Sequence, residues 1–155
     1  MIGIIGFGRF GRLMAGYLAE DYTVKVYNRS DKSAEIIRMG AASASLREVC
    51  RQKMVILSVP ISSMRHMLQQ ISPLLRPDAI VADVCSVKVY PVQWMTEMLP
   101  PSVSLLATHP MFGPDSAAES LHDRKIVLCN VRINNTPYEK VKGYLTGKGL
   151  NVIDT

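Results

Sequence analysis

The stretch Met1-Ile2-Gly3-Ile4-Ile5, followed at once by Gly6-Phe7-Gly8-Arg9-Phe10-Gly11, decides the fold. Its first five residues form an apolar run of strand length, and the three glycines after it allow a tight turn. Beyond the turn, apolar residues recur with helical period at Phe10, Leu13, Met14, Tyr17 and Leu18. The stretch therefore predicts a strand over 1–5, a glycine turn, and a helix from about Arg9 to Glu20.

The same alternation of strand and helix continues along the chain and indicates an α/β protein. We predict further strands at 23–27, 54–59, 79–84, 103–108, 126–130 and 150–154. We predict further helices at about 31–40, from Ser45, through 64–71, over 87–99, and from an N-cap at Thr136 to Gly147. The apolar runs at 54–59 and 79–84 are typical of parallel strands covered on both faces. The expected fold is therefore Rossmann-like: a doubly wound, mostly parallel sheet with helices on both faces.

Length and composition place the chain among globular proteins. Its 155 residues are 48% hydrophobic and 20% charged, which excludes disordered and collagen-like classes. No apolar run approaches the roughly 18 residues of a membrane span. Met1 leads directly into the first strand, which leaves no room for a signal or transit peptide. We therefore expect a single domain over 1–155, in the cytoplasm, with no membrane partner.

The net charge of +5 comes from scattered basic residues rather than from a run of Lys and Arg. With only three Phe and one Trp available to stack on bases, we expect no nucleic-acid partner. A modest positive surplus suits a pocket for phosphates or carboxylates. The three cysteines are odd in number and form no CxxC motif, so we expect neither a disulfide framework nor a zinc or other metal site.

The glycine turn has the GxGxxG pattern of dinucleotide-binding loops, and it stands between a predicted strand and a predicted helix as such a loop must. One glycine makes the turn, one lets a pyrophosphate approach the backbone, and one lets the helix pack on the strand. The pyrophosphate then lies at the helix N-terminus. We therefore expect the whole turn to bind a dinucleotide: Gly6, Phe7, Gly8, Arg9, Phe10 and Gly11. The alternative is a glycine-rich turn without a ligand.

The end of the second strand distinguishes NAD from NADP. NAD-binding proteins carry an Asp or Glu there for the ribose 2′-hydroxyl, whereas this chain has Asn28-Arg29-Ser30, with Lys32 close behind. Arg29 can clamp a 2′-phosphate in bidentate fashion, and Ser30 can donate a hydrogen bond to it. The pattern favours NADP. The alternative is that Arg29 and Lys32 are solvated residues at the start of a helix.

Ligands of open parallel sheets lie beyond the carboxyl ends of the strands, and three such ends carry unusual residues. Ser58-Val59-Pro60 is expected to line the nicotinamide ribose. Asp83-Val84-Cys85-Ser86-Val87-Lys88 and His109-Pro110-Met111-Phe112-Gly113-Pro114-Asp115 end the next two strands. These two segments would bring a serine, a lysine and a histidine to the place where a hydride leaves.

The catalytic candidates in these segments are Ser86, Lys88 and His109. An alcohol oxidation needs a base for the hydroxyl proton, and histidine titrates closest to neutral pH, so His109 is the best candidate for that base. A structural role is the alternative for His109, and a solvated position on a helix is the alternative for Lys88. For Asp83 we favour a turn-capping role.

Taken together, the motifs Gly6–Gly11, Val55–Pro60, Asp83…Ser86-Val87-Lys88 and His109–Asp115 resemble those of the prephenate and arogenate dehydrogenase family of tyrosine biosynthesis. The resemblance implies oxidative decarboxylation of prephenate or arogenate, and Asn28-Arg29-Ser30 favours NADP as the cofactor. A hydride passes from the ring carbon that bears the 4-hydroxyl to the nicotinamide, CO₂ departs, and the ring becomes aromatic. It further implies that His109 holds or deprotonates that hydroxyl and that Ser86 hydrogen-bonds the histidine and the substrate.

Members of this family carry a C-terminal helical domain that dimerises and supplies arginine to the substrate carboxylates, and we expect this domain to be absent from the chain. The resemblance therefore implies a homodimer in a full-length form, and weak or no turnover by these 155 residues alone. Two other interpretations remain open. One is another NADP-dependent oxidoreductase of the β-hydroxyacid dehydrogenase type, and the other is a non-catalytic NADP-binding module.

Overall fold

One eight-stranded sheet runs through the computed structural model, which describes residues 1–155. The elements in chain order are β1 (Ile2–Ile5), α1 (Arg9–Ala19), β2 (Val24–Tyr27), α2 (Ser33–Arg38), β3 (Ala42–Ser43), α3 (Leu46–Cys50), β4 (Met54–Leu57), α4 (Ile61–Ile71), β5 (Ile80–Asp83), α5 (Val89–Met98), β6 (Ser104–Pro110), β7 (Lys125–Arg132), α6 (Asn135–Gly147) and β8 (Asn151–Asp154). A short 3₁₀ turn, Ser72–Leu74, follows α4. None of the helices has the length and the hydropathy that a membrane-spanning helix needs.

The strand order is β3-β2-β1-β4-β5-β6-β7-β8. Every neighbouring pair is parallel except β6 and β7, which are antiparallel. The chain runs outward from β1 to β3 and then returns to place β4 on the other side of β1. This reversal opens a crevice beyond the carboxyl ends of β1 and β4, where ligands of such sheets bind. The predicted Rossmann-like, mostly parallel fold is confirmed.

Helices cover both faces of the sheet, because the central strands are apolar on both sides. On one face, Leu57, Val81 and Leu105 pack with residues of α4 and α5 in the largest buried cluster. On the other face, α1 and α2 cover β1 and β2, while α6 covers the β6–β7 side. Successive residues of β6 alternate between the two faces, since Leu105 belongs to the first cluster and Leu106 to the second.

The structure differs from the predicted elements at two places. The two-residue edge strand β3 was not predicted, because Ala42–Ser43 is too short to show a period. The prediction that Thr136 caps the last helix is wrong: the N-cap is Asn134, and Pro137 is the third helical residue. Proline is tolerated throughout the first turn, where its missing N–H costs no intrahelical hydrogen bond. Elsewhere the elements begin or end within a few residues of the predicted bounds.

Candidate active site

The carboxyl ends of four parallel strands lie in one row across the sheet. Ile5 of β1 pairs with Leu57 of β4, Leu57 pairs with Asp83 of β5, and Asp83 pairs with Ala107 of β6. The glycine turn therefore begins one residue beyond this row, and His109 lies two residues beyond it. Four motifs that are distant in sequence thus meet at one edge of the sheet.

The three glycines of the turn differ in what a side chain would meet at each of them. Gly6 has a φ of +104°, and a Cβ there would lie 2.1 Å from the carbonyl oxygen of Ser58. At Gly11 a Cβ would lie 2.4 Å from the carbonyl oxygen of Gly6, so this glycine lets α1 pack on the turn. At Gly8, the N-cap of α1, a Cβ would meet no atom within 4 Å. The space above Gly8 is therefore open to a phosphate at the helix N-terminus.

Asn28, at the end of β2, braces the glycine turn. Its side-chain oxygen accepts a hydrogen bond from the Phe7 N–H at 2.9 Å. Its amide nitrogen donates to both the carbonyl and the hydroxyl oxygen of Ser30, each at 3.0 Å. These bonds occupy both ends of the amide. Asn28 therefore ties the end of β2 to the turn rather than presenting its side chain to a ligand.

The residues after Asn28 differ in how they are engaged. Arg29 is exposed and makes no hydrogen bond or ion pair within the protein. The Ser30 hydroxyl accepts from Asn28 and keeps its own proton to donate. Lys32 lies 4.0 Å from the Glu35 carboxylate, in a weak ion pair on α2. Arg29, Ser30 and Lys32 are thus all exposed beside the turn, and Arg29 is the one that makes no hydrogen bond or ion pair within the protein.

The one acid in this stretch, Asp31, is engaged by the helix that follows. Its carboxylate accepts from the Ser33 N–H at 3.0 Å and from the Ser33 hydroxyl at 2.6 Å. These two hydrogen bonds hold the pKa of Asp31 below its ordinary value. The carboxylate is therefore already hydrogen-bonded to the first residue of α2.

Ser58-Val59-Pro60 adjoins the glycine turn. The Ser58 N–H donates to the Ile5 carbonyl at 2.8 Å, and the Ser58 carbonyl lies against Gly6. Pro60 is exposed and forms the N-cap of α4. The segment therefore lines the crevice between the first and fourth strands, at the position where the sequence places a ribose.

Asp83, Lys88 and Thr108 form a closed hydrogen-bond network at the ends of β5 and β6. The Lys88 ammonium is ion-paired with Oδ2 of Asp83 and donates to the Thr108 carbonyl at 2.6 Å. The Thr108 hydroxyl in turn donates to the Asp83 carbonyl at 2.6 Å. Oδ2 of Asp83 also accepts from the Cys85 N–H at 3.1 Å, so the predicted turn cap is present. The alternative that Lys88 is a solvated helix residue is wrong, because Asp83 is fully buried and draws the ammonium inward.

His109 and Ser86 lie beside this network. On β6 the period of two places His109 on the same face as Leu105, which is the α4–α5 face that also carries Val81 and Asp83. His109 is half-buried and Ser86 is exposed. Neither side chain makes a hydrogen bond within the protein, so the bond between them that the resemblance implies is not formed in this structure. Both groups are free to bind a ligand.

Three contacts join the loop after His109 to helix α1. Arg9 Nη2 lies 2.7 Å from Asp115 Oδ1, and the rings of Phe10 and Phe112 are 5.9 Å apart. The Tyr17 hydroxyl donates to the Ala117 carbonyl at 2.7 Å. The start of α1, where the glycine turn ends, is therefore connected directly to the loop that follows His109.

Cys85 is not a nucleophile of this cleft. Burial, together with the Asp83 carboxylate, raises the pKa of its thiol to about 11. The thiol therefore stays protonated near neutral pH. The two other histidines, His66 and His122, are exposed.

Two features of the cleft were not predicted. The sequence indicates Thr108 only as the last residue of a strand, and the Arg9–Asp115 ion pair spans 106 residues of sequence. The carboxylate at Asp83 followed by a lysine five residues later is a signal that could have indicated the Asp83–Lys88 pair. No local pattern indicates the Arg9–Asp115 pair.

Comparison with known proteins decides the family. The family model described as prephenate dehydrogenase, nucleotide-binding domain, matches residues 19–154. The chain belongs to the prephenate dehydrogenase family. It corresponds to the nucleotide-binding domain of these oxidoreductases, in agreement with the resemblance found in the sequence.

One relative and two solved structures illustrate the similarity. Arogenate dehydrogenase 1 of the Arabidopsis thaliana chloroplast is 33% identical over 137 residues, which are 85% of this chain and 21% of that protein. The crystal structure of Synechocystis arogenate dehydrogenase matches with a TM-score of 0.83 at 23% identity, over 99% of this chain and 59% of that one. Prephenate dehydrogenase from A. aeolicus, solved with hydroxyphenyl propionate and NAD⁺, matches with a TM-score of 0.79 at 20% identity, over the same two fractions. These structures share the fold, and the chain spans only part of each protein.

Proposed function

We propose that this chain is the cofactor-binding, histidine-bearing half of an NADP-dependent dehydrogenase that oxidatively decarboxylates prephenate or arogenate. One observation carries the proposal: the glycine turn, open above Gly8, is joined by the Arg9–Asp115 and Phe10–Phe112 contacts to the segment that bears His109. A dinucleotide on the turn and a substrate at His109 would therefore share one cleft.

The residues of the turn fit a dinucleotide. The open position at Gly8 and the N-terminus of α1 would receive the pyrophosphate, while Ser58-Val59-Pro60 would adjoin the nicotinamide ribose. The proposal of NADP rests on the side of the turn next to β2. There Arg29 is unengaged, Ser30 keeps a proton to donate, and the Asp31 carboxylate is occupied by Ser33. A 2′-phosphate would therefore meet a cation and a hydroxyl group.

The proposed chemistry needs one base and a fixed orientation of the substrate. Bound NADP⁺ supplies a hydride acceptor at the nicotinamide. As the hydride leaves the carbon that bears the hydroxyl group, His109 takes the hydroxyl proton and a ring ketone forms. Loss of CO₂ leaves the electron pair of the broken bond in the ring, which becomes an aromatic phenolate. His109 then returns the proton to the phenolate oxygen, so no proton is gained or lost overall.

Ser86 and Lys88 are proposed to orient the substrate. The Ser86 hydroxyl is exposed beside the cleft and can bond the substrate hydroxyl together with His109. Lys88 donates two of its three N–H bonds to Asp83 and Thr108, which leaves one for a substrate oxygen. Because aromatisation drives the reaction, positioning and the movement of one proton are the main contributions required of the protein.

The active enzyme is proposed to contain more than these 155 residues. The chain spans 59% of the length of the Synechocystis enzyme and 21% of the Arabidopsis relative. We propose that the assembled enzyme is a cytoplasmic homodimer whose dimer contacts lie outside these residues. The chain alone is then expected to bind the dinucleotide and to show weak or no turnover, and rapid turnover of either substrate would contradict this.

Binding of NADPH and NADH, followed by nicotinamide fluorescence, tests the cofactor assignment. We expect NADPH to bind at least about tenfold more tightly than NADH, because a bidentate arginine–phosphate contact is a strong charge-assisted interaction. Arg29→Ala should remove the preference. Arg38→Ala, which removes an exposed arginine from the far end of α2, is the matched control and should keep it. Equal affinity of the wild type for the two nucleotides would refute the 2′-phosphate role of Arg29.

A further inference from the structure

The turn cap that Asp83 provides does not by itself require a charged side chain. Capping the Cys85 N–H requires one acceptor, which Asn, Ser or Thr could supply without burying a carboxylate. Asp83 is nevertheless fully buried, and its second oxygen, Oδ1, has no hydrogen-bond partner. Burying a carboxylate with an unpartnered oxygen is costly unless a cation compensates it. The cation present is Lys88.

Lys88 is likewise placed against the local preference. It is the N-cap of α5, a position that favours Ser, Thr, Asp or Asn, and a positive charge there opposes the helix dipole. Its side chain remains 26% exposed, so the ammonium is held at the wall of the cleft rather than sealed inside. Both residues of this ion pair thus go against their local preferences, Asp83 in its burial and Lys88 at its N-cap position. Such departures are expected at functional sites.

The network leaves the ammonium with one direction to donate. Lys88 Nζ has three N–H bonds, of which one goes to Asp83 Oδ2 and one to the Thr108 carbonyl. The residue after Thr108 is His109, the proposed base. These two bonds therefore hold Lys88 Nζ, with its remaining N–H, next to the peptide bond that joins Thr108 to His109.

We propose that Asp83 is a positioning residue, whose buried carboxylate holds the Lys88 ammonium against the Thr108 carbonyl and so presents the third N–H to an oxygen of the substrate beside His109. This inference rests on the proposed function, in which Lys88 contacts the substrate. It adds a role for a carboxylate that does not itself reach the substrate. Thr108 closes the network through its hydroxyl but leaves the direction of the ammonium to Asp83.

The reactivity of Lys88 toward a limiting amount of acetic anhydride, measured by peptide mass spectrometry, tests this role without requiring turnover. Lys140 is exposed and has no ion pair, so it serves as the internal reference. In the wild-type chain Lys88 should react about tenfold or more slowly than Lys140, because a charge-assisted bond holds the ammonium. Asp83→Asn keeps the turn cap but loses the charge, and should remove most of this difference.

Thr108→Val is the matched control, because it cuts the same network at the bond to the Asp83 carbonyl. It should lower stability while leaving Lys88 slow to react. Equal reactivity of Lys88 and Lys140 in the wild type, or equal changes in the two variants, would overturn the proposal.

A second measurement covers the case in which Asp83→Asn does not fold. Lys88→Met leaves the buried Asp83 charge without a partner, so adding Asp83→Asn should raise the urea midpoint of the Lys88→Met variant. If Asp83 is only a cap, which Asn also provides, the added substitution should not raise that midpoint, and the proposal fails. Protection of Lys88 by prephenate with NADP⁺ is scored separately. Its absence would count against the proposed function, whereas the reactivity order still decides the role of Asp83.

Discussion

The two ends of the cleft are built in different ways. At the glycine turn the site is made of backbone: a left-handed Gly6, an open Gly8 and a tightly packed Gly11. At the ends of β5 and β6 the site is made of side chains, through the Asp83–Lys88–Thr108 network beside His109. Backbone requirements leave a fixed spacing of glycines in the sequence. For a side-chain network between strands, the sequence shows the residues, but only the fold shows which of them are partners.

The largest expected effect is at the backbone end, where Gly6→Ala should destabilise the protein by more than about 3 kcal/mol. The added Cβ would enter a positive-φ backbone and lie 2.1 Å from the Ser58 carbonyl oxygen. Gly8→Ala is the matched control, and urea unfolding should show a loss of no more than about 1 kcal/mol. It should nevertheless weaken dinucleotide binding. Equal stabilities of the two variants would contradict the distinction between the glycines.

At the chemical end, His109→Asn should lower kcat by about 10²–10⁴-fold in the assembled enzyme, which is the usual contribution of a general base. Because the side chain makes no hydrogen bond within the protein, the affinity for NADP⁺ and the thermal midpoint should change little. His66→Asn, at an exposed site on α4, is the control. Unchanged turnover in His109→Asn would favour an oxidoreductase that takes its base from elsewhere.

Alkylation of Cys85 measures how well the chemical end is packed. The thiol pKa is raised from 9.0 to about 11, chiefly by burial, so near pH 8 the folded chain should hold about a hundredfold less thiolate there than an unperturbed cysteine. Reaction with iodoacetamide should therefore be slow in the folded protein and fast in urea. The raised pKa favours the folded state below pH 9, and this contribution is lost as the pH rises through about 11. Rapid alkylation of the folded chain would show that segment 83–88 opens.

The smallest effect is expected at the ion pair that links the two ends. Arg9 and Asp115 are both largely exposed, and a surface pair of this kind contributes about 0–1 kcal/mol. A double-mutant cycle with Arg9→Ala and Asp115→Ala, followed by urea unfolding, should give a coupling within that range. A larger coupling would show that the loop is docked on α1 by this pair rather than by Phe112 and Tyr17.

Much of the fold could be predicted because local pattern and tertiary structure agree. The apolar runs before Gly6 and Ser58 are central strands, and Gly40 ends α2 with the positive φ expected of a C-terminal glycine. The Ser45 hydroxyl caps α3 by accepting from the Glu48 N–H, as its spacing indicates. The short β3 and the N-cap at Asn134 were not predicted, because neither produces a periodic or sterically required pattern in the sequence.

The residues of the candidate site could be predicted from the sequence better than the contacts between them. Strand-end reasoning brought Ser58, Asp83 and His109 to one edge, and the registers of β4, β5 and β6 place them there. The engagement of Asn28 by Phe7 could not be predicted, because it depends on how β2 ends beside the turn. For Lys88, the carboxylate five residues earlier was a signal of the ion pair, but only the fold shows that Asp83 is buried and that the pair closes on the Thr108 carbonyl.

The central claim is that the glycine turn and His109 belong to one site, and histidine NMR tests it most directly. The chain has only three histidines, of which His66 and His122 are exposed. We expect saturating NADP⁺ to shift the ring resonances of His109 and to leave those of His66 and His122 in place. Gly8→Ala should abolish the shift at the same NADP⁺ concentration. A bound nucleotide, shown by fluorescence, that leaves His109 unmoved would contradict the claim that the two ends form a single active site.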